Sequence, residues 1–70
     1  MADIKSSVTG VVWKIEKQAG DSVAAGEVIL ILESMKMEIP IEAPCAGTLR
    51  SVLVQEGDSV TEGDVVASVG

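Results

Sequence analysis

Gly20-Asp21-Ser22-Val23-Ala24-Ala25-Gly26 returns 37 residues later as Gly57-Asp58-Ser59-Val60-Thr61-Glu62-Gly63, and this recurrence decides the fold. The offset holds outside the two heptapeptides. Gly10 matches Gly47, Gln18 matches Gln55 and Val28 matches Val65, with no gap. A gap-free repeat of this length predicts two similar β units related by a pseudo-twofold axis. Each heptapeptide reads as a turn. Glycine supplies positive φ without steric cost, and an aspartate side chain can bond to nearby backbone. Val23 and Val60, apolar within otherwise polar loops, are expected to anchor those loops to the core.

The segments around the turns read as strands. Val28-Ile29-Leu30-Ile31-Leu32 is a short, continuous apolar run, as expected of a strand buried on both faces. Residues 33–37 interrupt it, and Ile39-Pro40-Ile41-Glu42 resumes with alternation, so the two segments read as a hairpin. Pro40 lacks an N–H and must occupy a sheet edge or an unpaired ladder position. Gly10-Val11-Val12-Trp13-Lys14-Ile15 aligns with Gly47-Thr48-Leu49-Arg50-Ser51-Val52. The positions apolar in both copies, Val12/Leu49 and Ile15/Val52, are the expected core. Their spacing of three breaks the strand period of two, which predicts a bulge or bend in each copy. Trp13 aligns with Arg50 and should therefore point outward or be only partly covered.

Composition supports the same picture and narrows the function. The chain has 70 residues, enough for one domain, residues 1–70. Its apolar residues are mostly Val and Ile, whose stiff side chains suit a pleated surface. Without Phe or Tyr the core must be aliphatic. No segment reads as an amphipathic helix. The expected architecture is an all-β, flattened β-sandwich of two similar four-stranded halves, with the termini together at one end. The net charge of −6 argues against nucleic acid, because phosphate contacts need clustered cations. The absence of His excludes His-based metal sites and Ser-His or Cys-His catalysis. No apolar run approaches the roughly 20 residues that span a bilayer, which argues against a membrane partner. Cys45 is alone, so no intrachain disulfide can form, and a reducing cytoplasm is the expected location. As a small residue at a turn, Cys45 is expected to be a buried or half-buried filler.

Lys36 lies at the midpoint, with 35 residues before it and 34 after, in Glu33-Ser34-Met35-Lys36-Met37-Glu38. The repeat places it on the connection between the two units, at the tip of a protruding hairpin. Lysine offers a primary amine on a flexible stem. A lysine in a turn ordinarily means no more than a charge on a surface. Here it stands between two methionines that a tight polar turn does not need for folding. Exposed Met makes a soft, adaptable contact surface, although Met also serves as core filler. Glu33, Glu38 and Glu42 concentrate negative charge near this tip. They could be imagined as an acid–base set, but acid–base work needs a desolvated site, and no aromatic pocket can surround them.

Met35-Lys36-Met37, preceded by Glu33-Ser34 and followed by Glu38 and Ala43-Pro44-Cys45-Ala46-Gly47, resembles the attachment motif of biotinyl domains, the biotin carboxyl carriers of biotin-dependent carboxylases and decarboxylases. The resemblance covers nearly the whole chain, including both glycine-bounded turns. Ser34 stands where the family usually has Ala. The uninterrupted repeat leaves no room for the extra loop that some carriers have in their first half.

The resemblance implies a covalent biotin on Lys36, joined by a biotin protein ligase that recognises Met35 and Met37 together with Glu33 and Ser34. It further implies that the loaded arm shuttles a carboxyl group between a biotin carboxylase and a carboxyltransferase. The chain would then be a carrier with no catalytic residues of its own, the cofactor supplying the chemistry. Lipoyl carriers share this fold and a modified central lysine, but typically have Asp before the lysine and Ala after it. Lipoate is thus the alternative cofactor, alone or as a minor modification. A reading from another class is an unmodified β interaction module of the kind found in export adaptors, which would have no need of Met-Lys-Met. The acceptor of the carboxyl group, and whether the domain stands free or within a larger chain, are not encoded in these motifs.

Overall fold

The computed structural model describes residues 2–70. They form eight strands: β1 (Ala2–Lys5), β2 (Gly10–Ile15), β3 (Ser22–Val23), β4 (Val28–Ser34), β5 (Met37–Glu42), β6 (Gly47–Val52), β7 (Ser59–Val60) and β8 (Val65–Val69). All pairings are antiparallel. Two four-stranded sheets result, ordered β1-β8-β6-β3 and β5-β4-β2-β7, in a body measuring 31 × 17 × 16 Å. The repeat maps strand onto strand: β2 onto β6, β3 onto β7, β4 onto β8 and β1 onto β5. The operation exchanges the two sheets, so each sheet draws strands from both halves of the chain.

Reciprocal hydrogen bonds lock this exchange. The Gly20 N–H donates to the Leu49 carbonyl, and its counterpart Gly57 N–H donates to the Val12 carbonyl, both at 2.8 Å. Leu49 N–H returns a bond to Asp21, and Val12 N–H returns one to Asp58, again at 2.8 Å. Within each turn an aspartate accepts from the backbone three residues earlier, Asp21 from Gln18 and Asp58 from Gln55. Gly20 and Gly57 stand at φ 98° and 94°, where an L side chain is strained. Val23 and Val60, which anchor these loops through the two-residue strands β3 and β7, are buried as the sequence predicted.

Bulges explain the irregular apolar spacing. The β2–β4 register slips between Val12 and Lys14, and the β6–β8 register slips between Leu49 and Ser51. Trp13 and Arg50 are the extra residues, and both are exposed. Two further slips, at Val28/Leu30 against β5 and at Ile4/Lys5 against β8, allow Ile29 and Leu30 to be buried in succession, and likewise Val66 and Ala67. The core is aliphatic, with Val12, Ile29, Leu30, Leu32, Leu49, Val66 and Val69 fully buried. Ile15 and Val52, expected in the core, are half-buried and pack against its margin. Pro40 sits on β5, an edge strand, where its missing N–H costs no ladder bond. Ala2 pairs with Val69, bringing the ends of the described chain together.

Three expectations are corrected. Cys45 is exposed rather than a filler. Ala43 takes the interior position instead, its N–H and carbonyl tied to Glu27 and Gly26, and the chain turns outward after it. Glu42 pairs with Val28, at the end of β5 remote from the turn, and so does not contribute to the charge at the tip. Residues 33–37 do not all break the strand: β4 continues to Ser34 and β5 begins at Met37.

A side chain on Gly10 would place its Cβ 2.5 Å from the Glu33 carbonyl oxygen, whereas one on Gly47 would meet the Gly70 carbonyl at 3.1 Å. Gly10→Ala is therefore expected to cost roughly 1–3 kcal/mol, as overpacking typically does, and Gly47→Ala clearly less. Denaturant unfolding of the two variants checks the order. A second expectation concerns Lys17 and Glu27, which pair at 2.8 Å. Hydrogen bonding to Lys17 lowers the Glu27 pKa, and the same contact raises that of Lys17. The contribution of Glu27 is thus present above its unfolded-state pKa and lost as pH falls through its lower folded value. Glu27→Gln should flatten the acid side of the Tm–pH profile slightly, the pair being exposed to solvent.

Candidate functional site: the Met35-Lys36 turn

Strands β4 and β5 pair continuously up to Ser34↔Met37, which leaves Met35-Lys36 as a two-residue connection. Both residues have positive φ, 53° and 65°. Positive φ at both central positions is the pattern of a type I′ hairpin turn, whose twist matches that of the flanking strands. Asn-Gly is the usual occupant, because other L residues are strained there. Holding Met and Lys in this region costs roughly 1–2 kcal/mol per residue. Such strain persists only where the surroundings over-determine it. Here the neck of the hairpin is fixed from the side: Ser34 Oγ donates to the Thr9 carbonyl at 2.9 Å, and the backbone of Glu33 lies against Gly10.

The turn projects three side chains into solvent. Met35 is 92% exposed and Met37 60%, so neither folds back as filler. Lys36 is exposed and belongs to neither ion pair found among the described residues, Lys14–Glu16 and Lys17–Glu27. Beneath it Glu33 and Glu38 face each other directly across the strands. Like charges at opposed positions are destabilising, so this pair serves no folding purpose by itself. The tip thus carries a free primary amine, two soft apolar side chains and two carboxylates. It has no cleft, and as a site it suits covalent attachment. An amide on the Lys36 amine fits what is present: the nitrogen is unshielded, its stem is unpacked, and acylation would break no ion pair.

A groove of about 560 Å³ lies elsewhere, lined by Ile15, Lys17, Gln18, Val52, Gln55 and Glu56 among others. It straddles the pseudo-twofold axis, since Ile15/Val52 and Gln18/Gln55 are repeat partners, and Ile15 is at the opposite end of β2 from the tip. Among the described residues no group of His, Cys, Asp and Glu could hold a metal ion.

The structure brings all five sequence-identified residues to one hairpin, with Glu33 and Ser34 in β4, Met35 and Lys36 in the turn and Met37 opening β5. Sequence reasoning missed Thr9 and the steric role of Gly10. Their contacts to the neck span some 25 residues of sequence, and only the recurrence of Gly10 as Gly47 hinted at a constraint.

Relief of the turn strain should be measurable. Asn tolerates the left-handed region better than Met. Met35→Asn is expected to stabilise the protein by about 0.5–1 kcal/mol, or roughly 2–8 °C in Tm for a domain of this size. A thermal melt that is unchanged or lowered would show that the turn is not strained at this residue.

Comparison with known proteins agrees with this geometry. The family profile described as biotin-requiring enzyme matches residues 1–69. The biotin/lipoyl attachment protein of Bacillus subtilis is 46% identical over 63 residues, covering 90% of this chain and 86% of its own. The mitochondrial propionyl-CoA carboxylase alpha chain of Homo sapiens is 39% identical over 66 residues, which are 94% of this chain but 9% of that one. Among solved structures, the urea carboxylase of Kluyveromyces lactis superposes with a TM-score of 0.94 at 36% identity, over 99% of this chain and 6% of that one. A strained two-residue turn that presents a free lysine between exposed methionines, on two interlocked halves, is thus set in a sequence matched almost end to end: the chain belongs to the biotin/lipoyl attachment family of biotin-requiring enzymes.

Proposed function

We propose that this protein is a biotin carboxyl carrier, biotinylated on Lys36 by a biotin protein ligase and visited in turn by a biotin carboxylase and a carboxyltransferase. The observation that carries the reading is the presentation of Lys36 alone on a two-residue turn between exposed Met35 and Met37. In the attachment step the deprotonated Lys36 amine attacks the carboxyl carbon of an activated biotin. The N–C bond forms, the activating group leaves with the electrons of its bond to carbon, and the excess amine proton passes to solvent. Bound biotin supplies a ureido ring that takes up and gives up a carboxyl group. The protein contributes position and reach. The stem of Lys36 is unpacked, so the tethered group is held at high effective concentration wherever the domain docks. Glu33 and Glu38 favour partners with basic mouths, because complementary charge speeds encounter. The similarity to carboxylase chains from human and yeast supports carboxylase partners. The lone exposed thiol of Cys45 supports a place in a reducing compartment such as the cytoplasm.

Co-expression with a biotin ligase should add one biotinyl group, located by peptide mapping to Lys36, and Lys36→Arg should abolish avidin binding. Biotin retained on Lys36→Arg would overturn the assignment. Lipoate is the alternative cargo, since the B. subtilis relative bears both names. In a competition assay Met35→Asp with Met37→Ala should lose biotin and gain lipoate. An unchanged ratio would mean that the methionines do not select the cofactor. With labelled bicarbonate, ATP and a biotin carboxylase, the loaded protein should acquire label at a rate that falls with ionic strength, chiefly through KM. Glu38→Lys should reproduce that fall at low salt, and Glu42→Lys, remote from the tip, should not.

A further inference from the structure

The pseudo-twofold axis supplies an internal control, because surface positions within residues 2–33 have counterparts 37 residues later on an equivalent backbone. The outer faces of the two sheets differ sharply. On the β5-β4-β2-β7 sheet the outward positions include Val11, Trp13, Ile31 and Pro40, with Lys14 in the row of Ile31 and Pro40, and Ser59, Glu33 and Glu38 in the row of Val11. The counterparts of the four apolar residues on the β1-β8-β6-β3 sheet are Thr48, Arg50, Ser68 and Asp3. Ser68 is satisfied by Ser51 at 2.8 Å, and the others are exposed. Four apolar side chains thus replace four polar ones at positions where the fold accepts either. Val11 is 42% exposed and Trp13 48%. The backbone does not require these apolar residues, and no strand or loop of the described chain covers them.

The apolar face is the one that leads to the modified lysine. It is built on β4 and β5, the hairpin's own strands, and its upper row, Ser59–Val11–Glu33–Glu38, lies directly below the turn. A surface gripping this face would fix the direction in which Lys36 points. Its chemistry calls for an apolar contact that receives the Trp13 ring, bordered by cations opposite Glu33 and Glu38. Aromatic residues enriched at interface centres act in this way.

Resting on the biotin-carrier reading, we infer that this face is where a biotin protein ligase docks before Lys36 is modified. The ligase is the partner that most needs such a surface. A carboxylase meets a protein that already bears biotin and can be guided by the cofactor. The ligase must recognise unmodified polypeptide, and a two-residue turn alone offers little contact area.

The symmetry also provides the test. Val11→Thr with Trp13→Arg writes the residues of the polar face onto the apolar one. The control, Thr48→Ala with Arg50→Ala, alters the polar face alone. With purified ligase, ATP and biotin, the first variant should show a KM for the carrier raised about tenfold, with kcat within about twofold and Tm close to wild type. The control should match wild type. Lys36→Arg carrier, which cannot be modified, should inhibit biotinylation of the wild type competitively, and adding Val11→Thr and Trp13→Arg to it should weaken that inhibition by the same factor. As a measurement free of surface changes, excess ligase should slow N-bromosuccinimide oxidation of Trp13 in the Lys36→Arg carrier, followed by peptide mass. Wild-type kcat/KM in the grafted variant, an equal loss in the control, or unprotected Trp13 would each overturn the docking face while leaving the carrier reading intact. A wild-type chain that takes no biotin from the ligase would overturn both.

Discussion

The architecture depends on an exchange of backbone hydrogen bonds between the two halves of the chain. Gly20 and Asp21 are satisfied by Leu49, and Gly57 and Asp58 by Val12. Buried backbone groups left unpaired would cost as much as the bonds themselves contribute. Each half therefore relies on the other to satisfy its turns, and neither can complete a sheet, since each sheet sets two central strands of one half between two edge strands of the other. Folding has to be a single event of the whole chain. A domain this small, with an aliphatic core and no disulfide, gains its definition from that mutual dependence rather than from a large buried surface.

The interlock also explains how a strained turn can be maintained. Met35 and Lys36 occupy a backbone region that neither residue favours. The neck below them is held by continuous pairing of β4 with β5, by Ser34 reaching Thr9, and by the bare face of Gly10 against Glu33. The consequence is functional. A longer, relaxed loop would let the lysine wander and fold its methionines onto the sandwich. The two-residue connection has no slack, so the amine and both thioethers stay in solvent at the extreme of the hairpin.

Symmetry separates what the fold needs from what the function needs. Residues that match across the repeat, such as Val12 and Leu49 or Val23 and Val60, are buried and structural. Residues that differ, such as Trp13 and Arg50, lie outside the core and are free to serve partners. The same logic sets Lys36 apart: it stands between the two repeats, in the turn that joins β4 to β5.

The sequence by itself determined the repeat, the strands, the aliphatic core, the bulges, the outward Trp13 and the central lysine, because these follow from periodicity and from glycine and aspartate at turns, which are local. It did not determine that β4 runs on through Ser34, because polar residues in a hairpin neck look the same as those in a loop until the partner strand fixes the register. It misplaced Glu42, whose distance from the tip is set by pairing with Val28 and not by its nearness in sequence. It misjudged Cys45, because which of several small residues enters the core depends on the bonds made by Ala43 to a loop from the other half. The roles of Thr9 and Gly10 and the contrast between the two outer faces arise only when distant segments are laid side by side. Tertiary structure alone decided these, since they are properties of contacts rather than of residues.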